Sequence, residues 1–319
     1  MLRVVIIGYG DMFTNLIAGT LDANCKIVGV LRGDSVKYSP IIRKLKDIFN
    51  PTKEYNYIKS YNLPEIYTNS VNSEDFRKKL IKLNPDIILV GSWGEKFEKE
   101  TYNIPKIATI NAHPSLLPKY RGPNPYFWVI KNQEKNSGIT FHLMDENFDT
   151  GAILAQEEIK LLQNETGKSL KERTVLVARG VVRELLKTLG EDVIIPLQQR
   201  VENASYFSHP DDIELDFRKK TAEENSAIVR AIFPWNNAYF YNDITPIIAE
   251  PREIEVLENN THYSKAGTIV GIDVDKKSIK VLCSDNKILK IMINSYKKID
   301  RPFFKNYIKQ ELKIGQILL

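Results

Sequence analysis

The sequence predicts an α/β protein with a Rossmann-like, mostly parallel sheet, mixed at one edge and covered by helices on both faces. A small β-barrel with a leading helix is expected after it. Three observations carry this. Short apolar runs, Arg3–Ile7 (RVVII), Lys26–Leu31 (KIVGVL) and Asp86–Val90 (DIILV), alternate with helical stretches. These runs are apolar throughout, the pattern of strands buried on both faces. Beyond Phe233-Pro234-Trp235 the texture changes to short strands at regular spacing with turns between them.

The first run ends in Gly8-Tyr9-Gly10-Asp11-Met12, which turns a strand into a helix near Phe13–Leu21. Gly8-x-Gly10 is part of a dinucleotide fingerprint, but Phe13 stands at the third glycine position. The expectation is a tight turn and no NAD. Arg32 to Tyr57 reads as a basic, polar connection, part helix and part mobile loop. Ser73 to Leu83 is amphipathic, with Phe76, Leu80 and Leu83 on one face. Ala108 to Ala112 is a buried strand between Pro105 and Pro114, and Gly138 to Leu143 is a second strand. Thr166 to Leu189 is a long helix with an apolar stripe that includes Leu170, Val175, Val182, Leu185 and Leu186. It closes the first domain. After a mixed link and an acidic stretch, Thr221 to Ile232 is a helix. Strands are predicted at Ile244–Ala249, Glu253–Leu257, Gly267–Ile272, Ser278–Leu282 and Lys287–Ile293. The expected domains are 1–190, a linker 191–205, and 206–319.

In parallel sheets ligands bind beyond the carboxyl ends of the strands. The strand Ala108–Ala112 exits in Asn111-Ala112-His113-Pro114, with two polar side chains two residues apart on one face. Pro114 keeps His113 out of the helical region. Asp149-Thr150-Gly151 follows the second strand. An amide, an imidazole and a carboxylate suit acyl transfer. The amide holds a developing oxyanion, the imidazole moves a proton near pH 7, and the carboxylate fixes the imidazole's tautomer. Ser115 lacks a nucleophile-elbow setting, which points to direct transfer to an external amine. Taken alone, Asn-x-His is more often the pattern of a His satisfied by the backbone, with the Asp capping a turn.

The longer pattern is more specific. Asn111-x-His113-x-Ser115-Leu116-Leu117-Pro118, Arg121-Gly122 and Asp149-Thr150-Gly151 together resemble the N10-formyltetrahydrofolate-dependent formyltransferases. The resemblance covers most of the chain. It implies that Asn111, His113 and Asp149 carry the chemistry and that N10-formyltetrahydrofolate is the co-substrate. It also implies a pterin held largely by backbone in the loop with Trp93, Gly94, Glu95 and Lys96, by Leu117, and by the loop with Asp145 and Phe148. The second domain of the family is a small barrel of the oligonucleotide-binding type.

Two acceptors fit such a fold: the amino group of a nucleotide-linked sugar and that of methionyl-tRNA. The tRNA enzymes carry a Gly-Arg-Gly-type basic loop after the second strand. Here Arg32-Gly33-Asp34-Ser35 occupies that region without the motif, although Arg43, Lys44 and Lys46 follow. Gly8–Met12, Leu117–Gly122, Phe127–Ile130 and Ala152–Gln156 resemble the arabinosamine formyltransferase domain of lipid A modification. A sugar nucleotide is therefore the expected acceptor. Lys119, Tyr120, Arg121 and Gly122 are its candidate binding residues, with Lys119 and Arg121 near its phosphates. Glycinamide ribonucleotide formyltransferases share the Asn, His and Asp but are usually one domain. A non-catalytic binding module would have lost one of the three residues, and all are present.

The chain has 319 residues, an apolar fraction of 43% and a net charge of +5, which suit a two-domain globular protein. Such a mild basic balance permits a polyanionic partner without demanding one. Lys276, Lys277, Lys280, Lys287, Lys290, Lys297, Lys298, Arg301 and Lys305 concentrate it near the C-terminus. Cys25 and Cys283 read as buried free thiols, and no Cys/His spacing suggests a metal. No signal peptide or membrane-length apolar run is present. The expectation is a cytoplasmic enzyme with no membrane partner, for which a homodimer stays open.

Overall fold

Val4 to Gly8 of β1 (Arg3–Gly8) are all buried. Alternate side chains of a strand point to opposite faces. Val4 and Ile6 accordingly join one apolar cluster, and Val5 and Ile7 another. This is the computed structural model of the chain, and it describes residues 1–33, 40–191, 194–211 and 213–318. Helices are numbered in chain order among these residues. Asp34-Ser35 of the loop discussed above lies outside them.

The chain turns into α1 (Gly10–Asp22), which buries Met12, Phe13, Leu16 and Ile17 in the first cluster. β2 (Lys26–Arg32) pairs with β1 in parallel. Two helices follow, α2 (Pro40–Phe49) and α3 (Lys53–Ser60). α4 (Glu74–Leu83) starts at Ser73, whose side chain accepts the Phe76 N–H, and buries Phe76 and Leu80 in the second cluster. β3 (Ile87–Gly91) then enters beside β1. A Cβ on Gly8 would lie 2.2 Å from the Gly91 carbonyl oxygen, so glycine is needed where these two strand ends meet.

α5 (Lys99–Tyr102), β4 (Ala108–His113), α6 (Pro125–Lys131), β5 (Asn136–Leu143), β6 (Ile153–Lys160) and α7 (Gly167–Glu191) complete this stretch. The sheet order is β2-β1-β3-β4-β5-β6. β1 to β4 are parallel, whereas β5 and β6 run antiparallel to their neighbours. α7 covers the same cluster as α1 through Val175, Ala178, Val182, Leu185 and Leu186. The sheet is therefore apolar on both faces, which explains its continuous hydrophobic runs.

Several elements here differ from the sequence reading, which did not include α5 or α6. β6 was not anticipated because it is an edge strand. Its sequence, ILAQEEIK, is largely exposed and carries no buried-strand signature. α2 turns its charged face inward: Arg43 and Asp47 are buried, while Ile41, Leu45, Ile48 and Phe49 are exposed. Hydrophobic periodicity cannot place such a helix.

The described residues divide into two compact units. Met1–Pro125, Asn136–Lys160 and Lys171–Ser208 form the first, and Tyr126–Lys135, Leu161–Leu170 and His209–Leu319 form the second. The second contains α8 (Ala222–Ile232), opened by a reciprocal capping box between Thr221 and Glu224. Its strands are β7 (Ala238–Asn242), β8 (Thr245–Glu258), β9 (Ile269–Asp273), β10 (Ser278–Leu282) and β11 (Lys287–Ser295). They form an antiparallel sheet in the order β7-β8-β11-β10-β9. Two predicted strands are one: β8 runs through Glu253, whose φ is 51°, and the β11 register shifts between Lys290 and Met292. That irregularity lets one long strand bend. β7 and a late helix, α9 (Phe304–Glu311), were not anticipated.

Cys283 is buried and Cys25 only half-buried, and both are free. Burial pushes the Cys283 thiol up to about 12. Among the described residues no helix is long and apolar enough to cross a membrane.

Candidate active site

β4 leaves the sheet carrying Asn111 and His113. Its Ile110 and Ala112 belong to the first core cluster, so Asn111 and His113 share the opposite face. β5 builds the adjoining wall. Across the antiparallel ladder Asn111 lies opposite His142, and His113 opposite Thr140. Ile139 and Phe141 are core residues, which turns Thr140 and His142 toward the same side as Asn111 and His113.

Asp149 arrives from the loop after β5 with a φ of 58°, a left-handed conformation that Asp tolerates better than most residues. Three nitrogens face its Oδ1: Asn111 Nδ2 at 3.3 Å, His113 Nδ1 at 3.3 Å and His142 Nε2 at 3.5 Å. Its Oδ2 accepts the Gly122 N–H at 2.9 Å. His113 Nε2 is 2.8 Å from the Tyr120 carbonyl oxygen. A carbonyl only accepts, so Nε2 carries the proton. In the neutral ring Nδ1 then holds the lone pair, on the Asp149 side. By the same argument His142 Nδ1 donates to the Leu143 carbonyl at 2.8 Å. His142 Nε2 is left to accept from Asn111 Nδ2 at 3.1 Å.

Burial pushes the His113 imidazole below its ordinary value, and the Asp149 carboxylate and Tyr120 carbonyl offset only part of this. For Asp149 burial acts upward. His113, His142 and the Gly122 N–H outweigh it and hold the carboxyl below the usual range. The resting site is thus a neutral, buried imidazole beside an ionised carboxylate, the pairing a proton-transfer centre needs.

His142 was missed by the sequence reading. The signal was available, because Thr140-x-His142 alternates on a strand that neighbours Asn111 and His113. Ser115 is buried, and its Oγ donates to the Lys119 carbonyl at 2.8 Å.

The other candidates divide by position. Tyr120 contributes its carbonyl and Gly122 its N–H, as above. The Arg121 guanidinium reaches Gln199 Oε1 through Nε at 3.1 Å and Nη2 at 2.7 Å. Lys119 is exposed and makes no contact with the Asn111–His113–Asp149 group that the structure describes. Gly91 pairs with Ala112, so the loop with Trp93 to Lys96 leaves the sheet at the same end as His113. Within it the Glu95 carboxylate is engaged by Ser70 Oγ and the Val71 N–H, and Lys96 is exposed. Leu117 is buried, with its carbonyl accepting Gln156 Nε2 at 3.0 Å. Asp145 Oδ1 braces its own loop by accepting from Thr150 Oγ1 at 2.6 Å and the Asn147 N–H at 3.0 Å. Phe148 is exposed.

The residues present fit a pterin-bearing donor. Trp93 Nε1 and Asn124 Oδ1 are buried polar atoms without a partner, one a donor and one an acceptor, so each leaves a hydrogen bond for a bound group to make. Gly94 has open space where a Cβ would lie. Among the described residues no group of three His, Cys, Asp or Glu side chains is placed to hold a metal ion.

Comparison with known proteins supplies the family. Residues 2–184 match the model of the formyl transferase domain. Methionyl-tRNA formyltransferase of Clostridioides difficile strain 630 is 33% identical over 294 residues, 90% of each chain. Among solved structures, the N-formyltransferase of Helicobacter canadensis, in complex with folinic acid and dTDP-3-aminofucose, matches with a TM-score of 0.67 at 18% identity, covering 92% of this chain and 100% of that one. HypX of Aquifex aeolicus in complex with tetrahydrofolic acid matches with a TM-score of 0.65 at 12% identity. The chain is covered entirely there but spans only 50% of HypX. At these identities the structural matches speak for the fold. The domain match covers more than half of the sequence, and with the C. difficile relative it makes this chain a member of the formyl transferase family, an enzyme that draws on N10-formyltetrahydrofolate.

Proposed function

We propose that Asn111, His113 and Asp149 carry direct formyl transfer to a primary amine, and that the amine belongs to a nucleotide-linked amino sugar. The convergence of Asn111, His113 and His142 on one oxygen of Asp149 supports the first part. N10-formyltetrahydrofolate supplies the formyl carbon, whose bond to N10 is exchanged for one to the acceptor nitrogen. Asn111 Nδ2 exchanges its 3.3 Å contact with Asp149 for the formyl oxygen, to which it donates as negative charge builds there. His113 Nδ1 takes the proton the amine loses, and later returns it to the departing nitrogen. Asp149 steadies the imidazolium without taking the proton itself. Ser115 Oγ is already engaged with the Lys119 carbonyl, so the route needs no acyl-enzyme.

The acceptor reading rests on the region after β2. Arg32 and Arg43 are 2% and 1% exposed and are matched with Asp47 and Glu65. Neither cation is presented to a polynucleotide. In the second unit Lys290 pairs with Glu255 and Lys305 with Asp275, which lowers the positive potential of that lysine-rich stretch. The dTDP-sugar in the H. canadensis complex is an acceptor of the proposed kind on the same fold.

A second reading, methionyl-tRNA, is favoured by the name of the C. difficile relative. Labelled N10-formyltetrahydrofolate offered with a panel of amino-sugar nucleotides and with charged initiator tRNA separates the two. Formylation of sugar nucleotides alone, with a shallow salt dependence, is expected. A tRNA acceptor would instead show a log–log salt slope of about 0.7–0.9 per phosphate contact, and exclusive formylation of the tRNA would overturn the sugar reading.

A further inference from the structure

We propose that the segment Leu197–Phe207 is a strap holding two active-site loops in register, and that Gln199 is its positioning residue. This goes beyond the family activity and rests on the assignment of Asp149 to the chemistry. The sequence shows only a mixed link here. In the structure it is bonded to both loops that complete the site. Leu197 exchanges backbone hydrogen bonds with Ile153, each 2.8 Å. Further along, Arg121 N donates to the Ser205 carbonyl at 2.9 Å and Phe207 N to the Arg121 carbonyl at 3.0 Å. Tyr120 N donates to Ser205 Oγ at 2.9 Å. The strap thus grips the peptide whose carbonyl orients His113 and the one whose N–H binds Asp149.

Gln199 joins these two regions through opposite ends of one amide. Its Oε1 accepts from Arg121 Nε and Nη2 at 3.1 and 2.7 Å. Its Nε2 donates to the Asp149 carbonyl at 3.0 Å and the Gly151 carbonyl at 2.7 Å. Glu has no donor for the carbonyls, Met has neither function, and Asn is one methylene short. Asp149 sits in a left-handed conformation, which neighbouring structure must over-determine. Gln199 holds the backbone on its C-terminal side, and Gly122 N–H holds its carboxylate. The strap also dictates the glycine. Gly122 has a φ of 92°, and a Cβ there would lie 2.3 Å from the Phe207 carbonyl oxygen. The strap therefore acts on the distance between Asp149 and His113.

Gln199→Met keeps the length of the side chain and removes both functions. Its kcat is expected to fall roughly 10–100-fold, the cost of a small misplacement of a reacting group. KM for the donor should stay within about twofold, because Arg121, the side chain the substitution releases, is a candidate contact of the acceptor and not of the folate. The acid limb of the pH–rate profile should move to lower pH, since the Asp149 carboxylate holds up the His113 pKa and its drift releases that support. A merely structural role would lower Tm and leave that limb in place. If Gln199→Met does not accumulate as folded protein, Gln199→Glu, which keeps the Arg121 bonds, carries the test with the same expected fall. Wild-type kcat and pH profile in either folded variant, while Asp149→Asn is crippled, would overturn the strap alone. Wild-type behaviour of Asp149→Asn would overturn the site assignment and the strap with it.

Discussion

Arg32, Arg43, Asp47 and Glu65 form one buried charged cluster of the first unit; Asn111, His113, His142 and Asp149 form another. In the former, two cations meet two carboxylates. Arg32 reaches Asp47 through Nη1 at 2.9 Å and Glu65 through Nε at 2.6 Å, and Arg43 binds the same Glu65. Burial works against the Arg32 charge, and Asp47 and Glu65 more than restore it. In the latter, one carboxylate oxygen is shared by three nitrogens at 3.3 to 3.5 Å, and the nearest titratable partner is driven neutral by burial. The comparison teaches where a proton can move. An ion network of this kind sets its charges against one another, and its members act on structure. A carboxylate beside a neutral imidazole leaves one proton position vacant, and that vacancy is available to a reaction.

Mutation separates the two clusters. The largest effect is expected from Asn111→Ala, which removes the proposed oxyanion donor: kcat should fall by about 10²–10³-fold with Tm close to wild type. Steady-state kinetics alongside thermal unfolding would check it, and near-normal turnover would refute the role. Asp47→Ala should behave in the opposite sense. Taking one of its two carboxylates from the buried Arg32 should cost on the order of 3 kcal/mol of stability, while kcat per folded molecule holds. Denaturant titration measures the first and active-site-normalised assays the second; a large kcat loss without destabilisation would erase the contrast.

Asp149→Asn removes the charge that supports His113. The acid limb of the pH–rate profile should then move to lower pH, and an immobile limb would count against the pairing. The smallest effect concerns stability. His113 has a lowered pKa in the folded state, so below its ordinary value of about 6.5 the unfolded chain binds the extra proton first. Stability should therefore rise with pH through that region and fall as pH drops below it. Asp149, lowered as well, keeps its stabilising contribution there and loses it only at much lower pH. Tm measured from pH 7.5 to 5 should decline in the wild type and decline less in His113→Gln. Equal slopes would show that His113 is not the group responsible.

Much of the fold was legible in the chain because strands buried on both faces must be apolar throughout. β1, β2 and β3 announce themselves for that reason, and so do the stripes of α4 and α7. The Asn111-x-His113 pair was legible because a strand exit places alternate residues on one face, and Asp149 because its motif is long. Other features depend on contacts between residues far apart in sequence. Arg43 gave no sign of facing inward, since its burial is made tolerable by Glu65, 22 residues away, and by the Tyr67 ring under its guanidinium. His142 became a site residue through strand pairing with Asn111, a register that local sequence does not encode. Gln199 is 50 residues from Asp149 and 78 from Arg121. Its amide has meaning only once the chain has folded back over both loops. Local pattern, set by which faces must avoid water, was determined by the sequence alone. The pairing of polar groups, set by which distant atoms arrive within hydrogen-bond distance, was decided by the tertiary structure.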